Sequence, residues 1–455
     1  MSRGLTSFGL PVGRPHIRFL ILGVLLVCLL SSSCGDPIDP FFPILEVTPD
    51  SLNFGGVLTQ RSFRIVNEGT KALQWSAESS DTFITISPET GELAPSPGDN
   101  DTVVTVTVNR AGLEDSLYES TIKVRSSNDG KRDVQVKMTV GVFELPIVGQ
   151  IDTPQEARAV AVAGNYAYVA DGNFGSFYIV DVTEPENPKK ADEMTLADGK
   201  GIVVDVAVEG SSAYVVDLQE LCVVDVSIPT SAKQCDSCCT SGLVLPYGVV
   251  LGGSFAFVAD NLFGLVVINV DNSSKPHIVS GCATYQDPEG VDKNGNYVFL
   301  AGWSPVKDSR GGYLESFNVG NPTNPQPLDT IPLTYWGRGC SVSGSHVYVA
   351  TMYGQFGTLD IVDVSDPTSV TLVKVVNTTG AATDVVVDGN YAYVVGPEIK
   401  LRVYDVSTPW APKFVAHHQN SLFRPEGVAV AGNFVYVADG KDGGLRIFDR
   451  SLLRP

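Results

Sequence analysis

The stretch from Gly164 to Pro188, GNYAYVADGNFGSFYIVDVTEPENP, decides how this chain folds, because close variants of it recur to the end of the sequence. It holds two short apolar runs, YAYVA and FYIVDV, split by a glycine-rich turn and followed by a proline-rich one. Runs of this length, rich in Val, Ile, Tyr and Phe and bounded by turn residues, read as strands buried on both faces. Counting from the aromatic residue of the first run, equivalent positions are Tyr168, Tyr214, Phe257, Phe299, Tyr348, Tyr393 and Tyr436, spaced by 46, 43, 42, 49, 45 and 43 residues. Each repeat opens with a mostly apolar strand such as ARAVAVAG, TDVVVDG or GVAVAG, and its proline-rich turn leads to an outer fourth strand. A period of this length with four strands per unit predicts a β-propeller, here of seven blades over residues 143–455. One such sheet cannot cover both of its faces, so it must stack on a neighbour, and a ring leaves no blade unstacked.

The ring closure is also legible. The last repeat runs only through a third strand, LRIFDR. PIVGQID, Pro146 to Asp152, matches an outer strand yet has no three strands before it. It is expected to pair with the last blade and complete it.

Ahead of the repeats, residues 44–142 contain no cysteine and alternate apolar with polar residues in seven bursts: LEVTP, SFRIVN, LQWSA, FITIS, VVTVTVN, STIKVRS and VQVKMTV. Turns such as EGTK, PETG and NDGK separate them. Period-two alternation with no helical period predicts an immunoglobulin-like β-sandwich, so the whole chain reads as all-β. Trp75, in LQWSA, falls on an alternating strand and reads as a core residue; the alternative is an exposed platform for a sugar.

Residues 1–33 stand apart, with Arg3, Arg14 and Arg18, no acidic residue, and the apolar run FLILGVLLVCLL before SSSC. Twelve apolar residues fall short of the roughly 20 that span a bilayer as a helix, and the pattern is that of a secretory signal. Residues 34–43, rich in Pro and Asp, read as a tether. Apolar residues are 43% and charged ones 18% of the chain, with a net charge of −20. Removing the three arginines makes it −23, which argues against a nucleic-acid partner, since phosphate binding needs a basic surface. Beyond Cys28 and Cys34, six cysteines remain: Cys222, Cys235, Cys238, Cys239, Cys282 and Cys340. An even number in an exported chain predicts disulfides. Buried free thiols are an alternative, as is a metal site at KQCDSCCTSG, although no second CxxC or histidine pair completes a tetrahedral set.

Three resemblances add to this reading. The N-terminal segment is similar to bacterial lipoprotein signals, which implies a lipid on Cys34, a membrane anchor and an envelope location. Residues 44–142, from LEVTPDSLNFG to VQVKMTV, resemble BACON-type Ig-like domains, some of which touch glycans. The repeats resemble the LVIVD family of exported propellers, most clearly in YVADGNFGSFYIVDVTEPENP, YVATMYGQFGTLDIVDVSDP and YVADGKDGGLRIFD. Blades 3 and 4 depart from that pattern, with INVDNSSKP in place of the usual turn and the insertion GWSPVKDSRGGYLE.

Aspartates recur at Asp171, Asp217, Asp260 and Asp439 after the second strand and at Asp181, Asp225, Asp363 and Asp405 ending the third. Chemistry needs a residue once, whereas a turn needs it in every blade, so these read as turn caps. DGKDGG, Asp439 to Gly444, lacks the further carboxylates of a calcium loop. The residues that change from blade to blade begin the innermost strands: Arg158, Val204, Tyr247, Glu289, Arg338, Thr383 and Glu426. With Lys200, Trp336 and Arg424 from the same loops they form the candidate ligand-binding set at the channel mouth. No GxSxG, HExxH or phosphate-binding glycine loop is present, and His277, His346, His417 and His418 fall in outer strands or turns. The expectation is a monomeric, non-catalytic envelope protein that binds a protein or glycan partner and needs no cofactor. Alternatives are a metal-dependent hydrolase of the lactonase-like propeller kind, using Glu289, Asp384 and Glu426, and glycan binding by the sandwich.

Overall fold

The computed structural model describes residues 42–453, apart from 55–57, 97, 99, 114–115, 128–129, 197–198, 200 and 305–309. The signal segment, the tether up to residue 41 and Cys34 therefore lie outside the described residues. Among the described residues no helix is long and apolar enough to cross a membrane. The first unit packs two sheets face to face. One holds Leu45–Thr48, Gln60–Asn67, Asp101–Val108 and Ile84–Ser87, and the other Ser51–Asn53, Lys131–Val140, Ser116–Ser126, Leu73–Glu78 and Thr90–Leu93. Alternation builds the core directly, since Leu73, Trp75 and Ala77 are buried while Gln74 and Glu78 face solvent. Trp75 lies in that core, its ring packed so close to Gly91 that no Cβ would fit there.

Among the described residues seven sheets of four or five strands follow, antiparallel throughout except for one added strand described below. The first runs from Ala159–Ala163 through Tyr166–Ala170 and Ser176–Asp181 to Lys189–Thr195. The two middle strands are buried along nearly their whole length and the outermost is largely exposed. This is why the middle strands read as unbroken apolar runs while the outer ones are rich in charge. Seven apolar clusters lie outside the sandwich, and each joins two consecutive sheets. Tyr168, Phe177 and Ile179 of blade 1 meet Val206, Val215 and Val224 of blade 2, and Tyr436 and Ile447 of blade 7 meet Val160, Val169 and Val180 of blade 1. Burying each of these large side chains contributes roughly 1.5–3 kcal/mol. The core is thus a ring of seams between blades, with the innermost strands facing a central channel.

Ile147–Ile151 pairs antiparallel with Leu445–Asp449, placing Ile147 opposite Phe448 and Ile151 opposite Leu445. The last blade is completed from the other end of the propeller, as expected. Gly149 is needed there, because a Cβ would run into the Pro185 carbonyl of blade 1. The preceding Phe143–Glu144 was not anticipated: it adds a parallel fifth strand beside Lys413–His418 of blade 6. Leu145 N–H donates to the His417 carbonyl at 2.7 Å, and Phe143 and Leu145 are buried against Leu422 and Leu453. The Asn53 side-chain amide of the sandwich donates to the Ser451 carbonyl.

Among the six candidate cysteines, Cys222 and Cys239 form a disulfide across two neighbouring strands of blade 2. The expectation fails for Cys282 and Cys340, which are free thiols. The reason is positional, since Cys282 ends the outermost strand of blade 3 and Cys340 lies in the innermost strand of blade 5. The side chains of Cys235 and Cys238 lie outside the described residues.

Candidate functional site

The channel mouth is built by loops that end one blade and begin the next, and buried carboxylates hold those loops. Asp171, fully buried, accepts from the Thr153 hydroxyl at 2.5 Å and from Gln155 N–H at 3.0 Å. Asp260 accepts from Val244 N–H at 2.6 Å, and Asp439 from Phe423 and Arg424 N–H at 2.9 and 3.0 Å. Blade 5 uses Asp360 of the third strand for this task, accepting from Thr334 N–H at 2.7 Å. Asp171, Asp260 and Asp439 are therefore more than turn caps, because they fix the loop that presents the mouth residues. Asp217 accepts from Gln219 and Glu220 N–H in its own turn, and its carboxylate packs against Gly201 of the loop before the innermost strand of blade 2. Asp439 is also 3.8 Å from the Arg446 guanidinium, so its oxygens in DGKDGG are already engaged.

Arg158, Val204, Tyr247, Glu289, Arg338, Thr383 and Glu426 line one cavity of about 400 Å³, together with Trp336 and Arg424. All the mouth residues singled out from the sequence are thus brought together except Lys200, which lies outside the described residues. The arginines are paired. Arg158 meets Glu156 at 2.8 Å and Glu426 at 3.8 Å, Arg424 meets Glu426 at 3.4 Å, and Arg338 meets Glu289. Burial pushes the Glu289 carboxyl above the usual range against the opposing pull of Arg338. Burial likewise raises Glu426, with Arg158, Arg424 and Arg338 all acting on it from the other side. One wall is aromatic, with Trp336 5.9 Å from Trp303 and 5.2 Å from Tyr353, and Arg310 over the Tyr353 ring at 5.3 Å.

The floor holds Asp205, which the sequence reading missed, and Asp384, which it weighed only as a metal ligand of the hydrolase alternative. Asp205 and Asp384, in the innermost strands of blades 2 and 6, each accept one backbone N–H from their own strand and one from the next blade. The cross-blade bonds go to Val249 at 2.8 Å and Val428 at 2.9 Å. Asp292 of blade 4 does the same toward Val342 at 2.7 Å. Burial raises all three, Asp205 and Asp384 to about 7. The Cys340 thiol is pushed well up by burial and by Asp292 and Asp384. A lone acidic residue inside an otherwise apolar strand, as in VVDVAV, was the available signal for these staples.

Glu289, Asp384 and Glu426 do not converge as a ligand set. Among the described residues the one group of three His, Cys, Asp or Glu side chains close enough to share an ion is Glu220, Cys222 and Cys239, and its two sulfurs are bonded to each other.

Comparison with known proteins agrees with this architecture. The Viral BACON domain family matches residues 44–139. No curated protein matches the chain. Among solved structures, the WD40 domain of Neurospora crassa Pan2 is 11% identical, with 68% of this chain and 96% of that one covered and a TM-score of 0.51. The WD40 β-propeller domain of Doa1 is also 11% identical, covering 69% of this chain and 100% of its own, with a TM-score of 0.53. At such identities the likeness concerns the fold alone. The LVIVD repeat family matches residues 154–193, 200–240, 247–284, 338–378, 379–419 and 425–451, skipping the fourth blade with its insertion. Those matches span just over half of the sequence, and this chain is a member of the LVIVD repeat family.

Proposed function

We propose that the propeller is a non-catalytic recognition module, carried by the sandwich as a spacer on an exported, lipid-anchored chain, and that its partner, a protein or glycan, binds at the channel mouth. One observation carries this reading. The seven positions that begin the innermost strands hold five different residue types, Arg, Val, Tyr, Glu and Thr, and all line a single cavity. Behind them the stacking positions repeat from blade to blade. A surface that must be stable repeats, and a surface that must be specific differs. The hydrolase alternative is less favoured because Glu289, Glu426 and Asp384 are each committed to arginine or backbone partners. A sugar platform at Trp75 is disfavoured by its burial.

The test immobilises the full mature chain and exposes it to envelope extracts beside a Trp336→Ala variant. Capture that is lost in the variant supports recognition at the mouth. Equal capture by both, or tightly held metal with turnover in a hydrolase screen, overturns it. Fatty-acid labelling that disappears in Cys34→Ser tests the anchor.

A further inference from the structure

The mouth face differs from the other end of the propeller in what it exposes. Phe174, Leu262, Phe263, Tyr285 and Phe423 lie in loops at the mouth end of their blades and Phe356 opens the third strand of blade 5 at the same end, each 46–66% exposed. These loops share one face, because Glu156–Ala157 at the mouth pairs with Gly440–Lys441 in the loop after the second strand of blade 7. Among the described residues, the large apolar side chains exposed in loops at the other end are Ile228 and Trp410. Exposed apolar groups concentrated on one face mark an interaction surface.

The cavity inside this ring has a consistent polarity. In each ion pair the guanidinium is the outer member and the carboxylate the inner one. Arg424 is 62% exposed against 16% for Glu426, Arg338 36% against 11% for Glu289, and Arg158 28% against 14% for Glu156. Three arginine forks, oriented from behind by buried carboxylates, therefore present donors outward, and a fork matches the two oxygens of a carboxylate. Trp336 and Tyr247 beside them supply the kind of anchors that dominate protein interfaces.

We propose that this face docks a protein partner through an apolar surface that carries an acidic side chain, Asp or Glu, into the cavity, where Arg158, Arg338 and Arg424 hold its carboxylate. The inference rests on the recognition reading above. Aliphatic Leu262 and its neighbours Val244 and Leu245 at 38–43% exposure favour a protein over an acidic polysaccharide, because sugars stack on flat rings and gain little from branched aliphatic groups.

The probe is a phage-displayed library of disulfide-closed random loops panned on the full chain, with the recovered sequences remade as labelled synthetic peptides and titrated by fluorescence anisotropy. The expected binders carry Asp or Glu flanked by apolar residues. They should weaken about tenfold or more with Arg424→Gln, and likewise with the paired Arg338→Gln/Glu289→Gln, which removes the cation without stranding a buried carboxylate. Circular dichroism and melting of each variant confirm that it is folded. Binders that depend on Trp336 but carry no acidic residue, or prefer lysine, overturn this inference while leaving recognition at the mouth intact. Oligogalacturonate that binds at the mouth when no peptide does overturns the protein partner and keeps the carboxylate. Peptides and oligogalacturonate that all ignore Trp336, Arg338 and Arg424 overturn both readings.

Discussion

The two ends of the propeller are made from the same seven repeats and behave as opposites. At the turn end, every hairpin between the first and second strands carries a glycine with φ between 56 and 61°, and no atom lies near its Cβ position. Every third strand there ends in Asp or Asn, and its side-chain oxygen accepts the N–H two residues on, from Asp181 and Thr183 through Asn269 and Asp271 to Asp449 and Ser451. At the mouth end the loops are held from several different positions: Asp171, Asp260 and Asp439 after the second strand in three blades, Asp360 or Glu315 in the third strand in two, and Glu398 in the hairpin of another. The electrostatics divide in the same way. Hydrogen bonds from the turn hold Asp181, Asp225 and Asp363 below the usual carboxylate range. Burial lifts Asp171 and Asp439 to about 6 and Asp205, Asp384 and Glu315 to about 7. The lesson is that stacking and turning are repeated because every blade needs them, while the mouth varies because specificity needs difference.

The largest test of that division removes a stacking residue. Phe317→Ala, fully buried between blades 3 and 4, should cost about 3–5 kcal/mol in denaturant unfolding. A loss under about 1 kcal/mol would mean that the seams do not carry the fold.

Next comes pH, where the two ends should pull in opposite directions. The raised carboxyls at the mouth hold protons in the folded state that they have lost in the unfolded one. Their contribution is therefore complete below about pH 4 and falls as pH rises toward 7. The lowered carboxyls at the turns contribute above the unfolded range near pH 4 and lose that contribution on acidification. Melting temperature should peak between, near pH 5, and Asp384→Asn should flatten the alkaline side alone. A variant that leaves the alkaline limb unchanged would remove Asp384 from this account.

Smaller effects separate the ends further. Asp363→Ala deletes one of seven equivalent turn bonds and should cost about 1 kcal/mol, with Asp225→Ala alike and the double variant additive, as urea titration would read. Arg424→Gln at the mouth should change stability by no more than about 0.5 kcal/mol, since its guanidinium is largely exposed. A marked drop on that substitution would make the mouth a structural element and erase the contrast.

Legibility in the sequence followed the same line. The seams were readable because Tyr168, Phe177 and their equivalents must recur at a fixed period to meet the next blade, and the closing strand Ile147–Ile151 because it repeats a pattern out of place. The mouth positions were readable by their register alone, ten residues before each counted aromatic. Their pairing was not. Nothing local places Arg158 of blade 1 beside Glu426 of blade 7, or the Asp384 carboxylate on the Val428 amide, since these partners are distant in the chain or in another blade. The fate of Cys282 and Cys340 was hidden for the same reason, because an even count says nothing of which side of a blade each occupies.

By itself, then, the sequence determined an all-β chain, a sandwich followed by stacked repeats, the element that completes the ring, and which end of each repeat varies. These are properties of periodicity, which acts through near neighbours and is written in each repeat. The tertiary structure alone decided that the variable ends share one cavity, that arginines stand outside and carboxylates inside, and that the exposed apolar side chains gather on that face. Those outcomes depend on bringing together residues as far apart as Arg158 and Glu426, which only closure of the ring achieves.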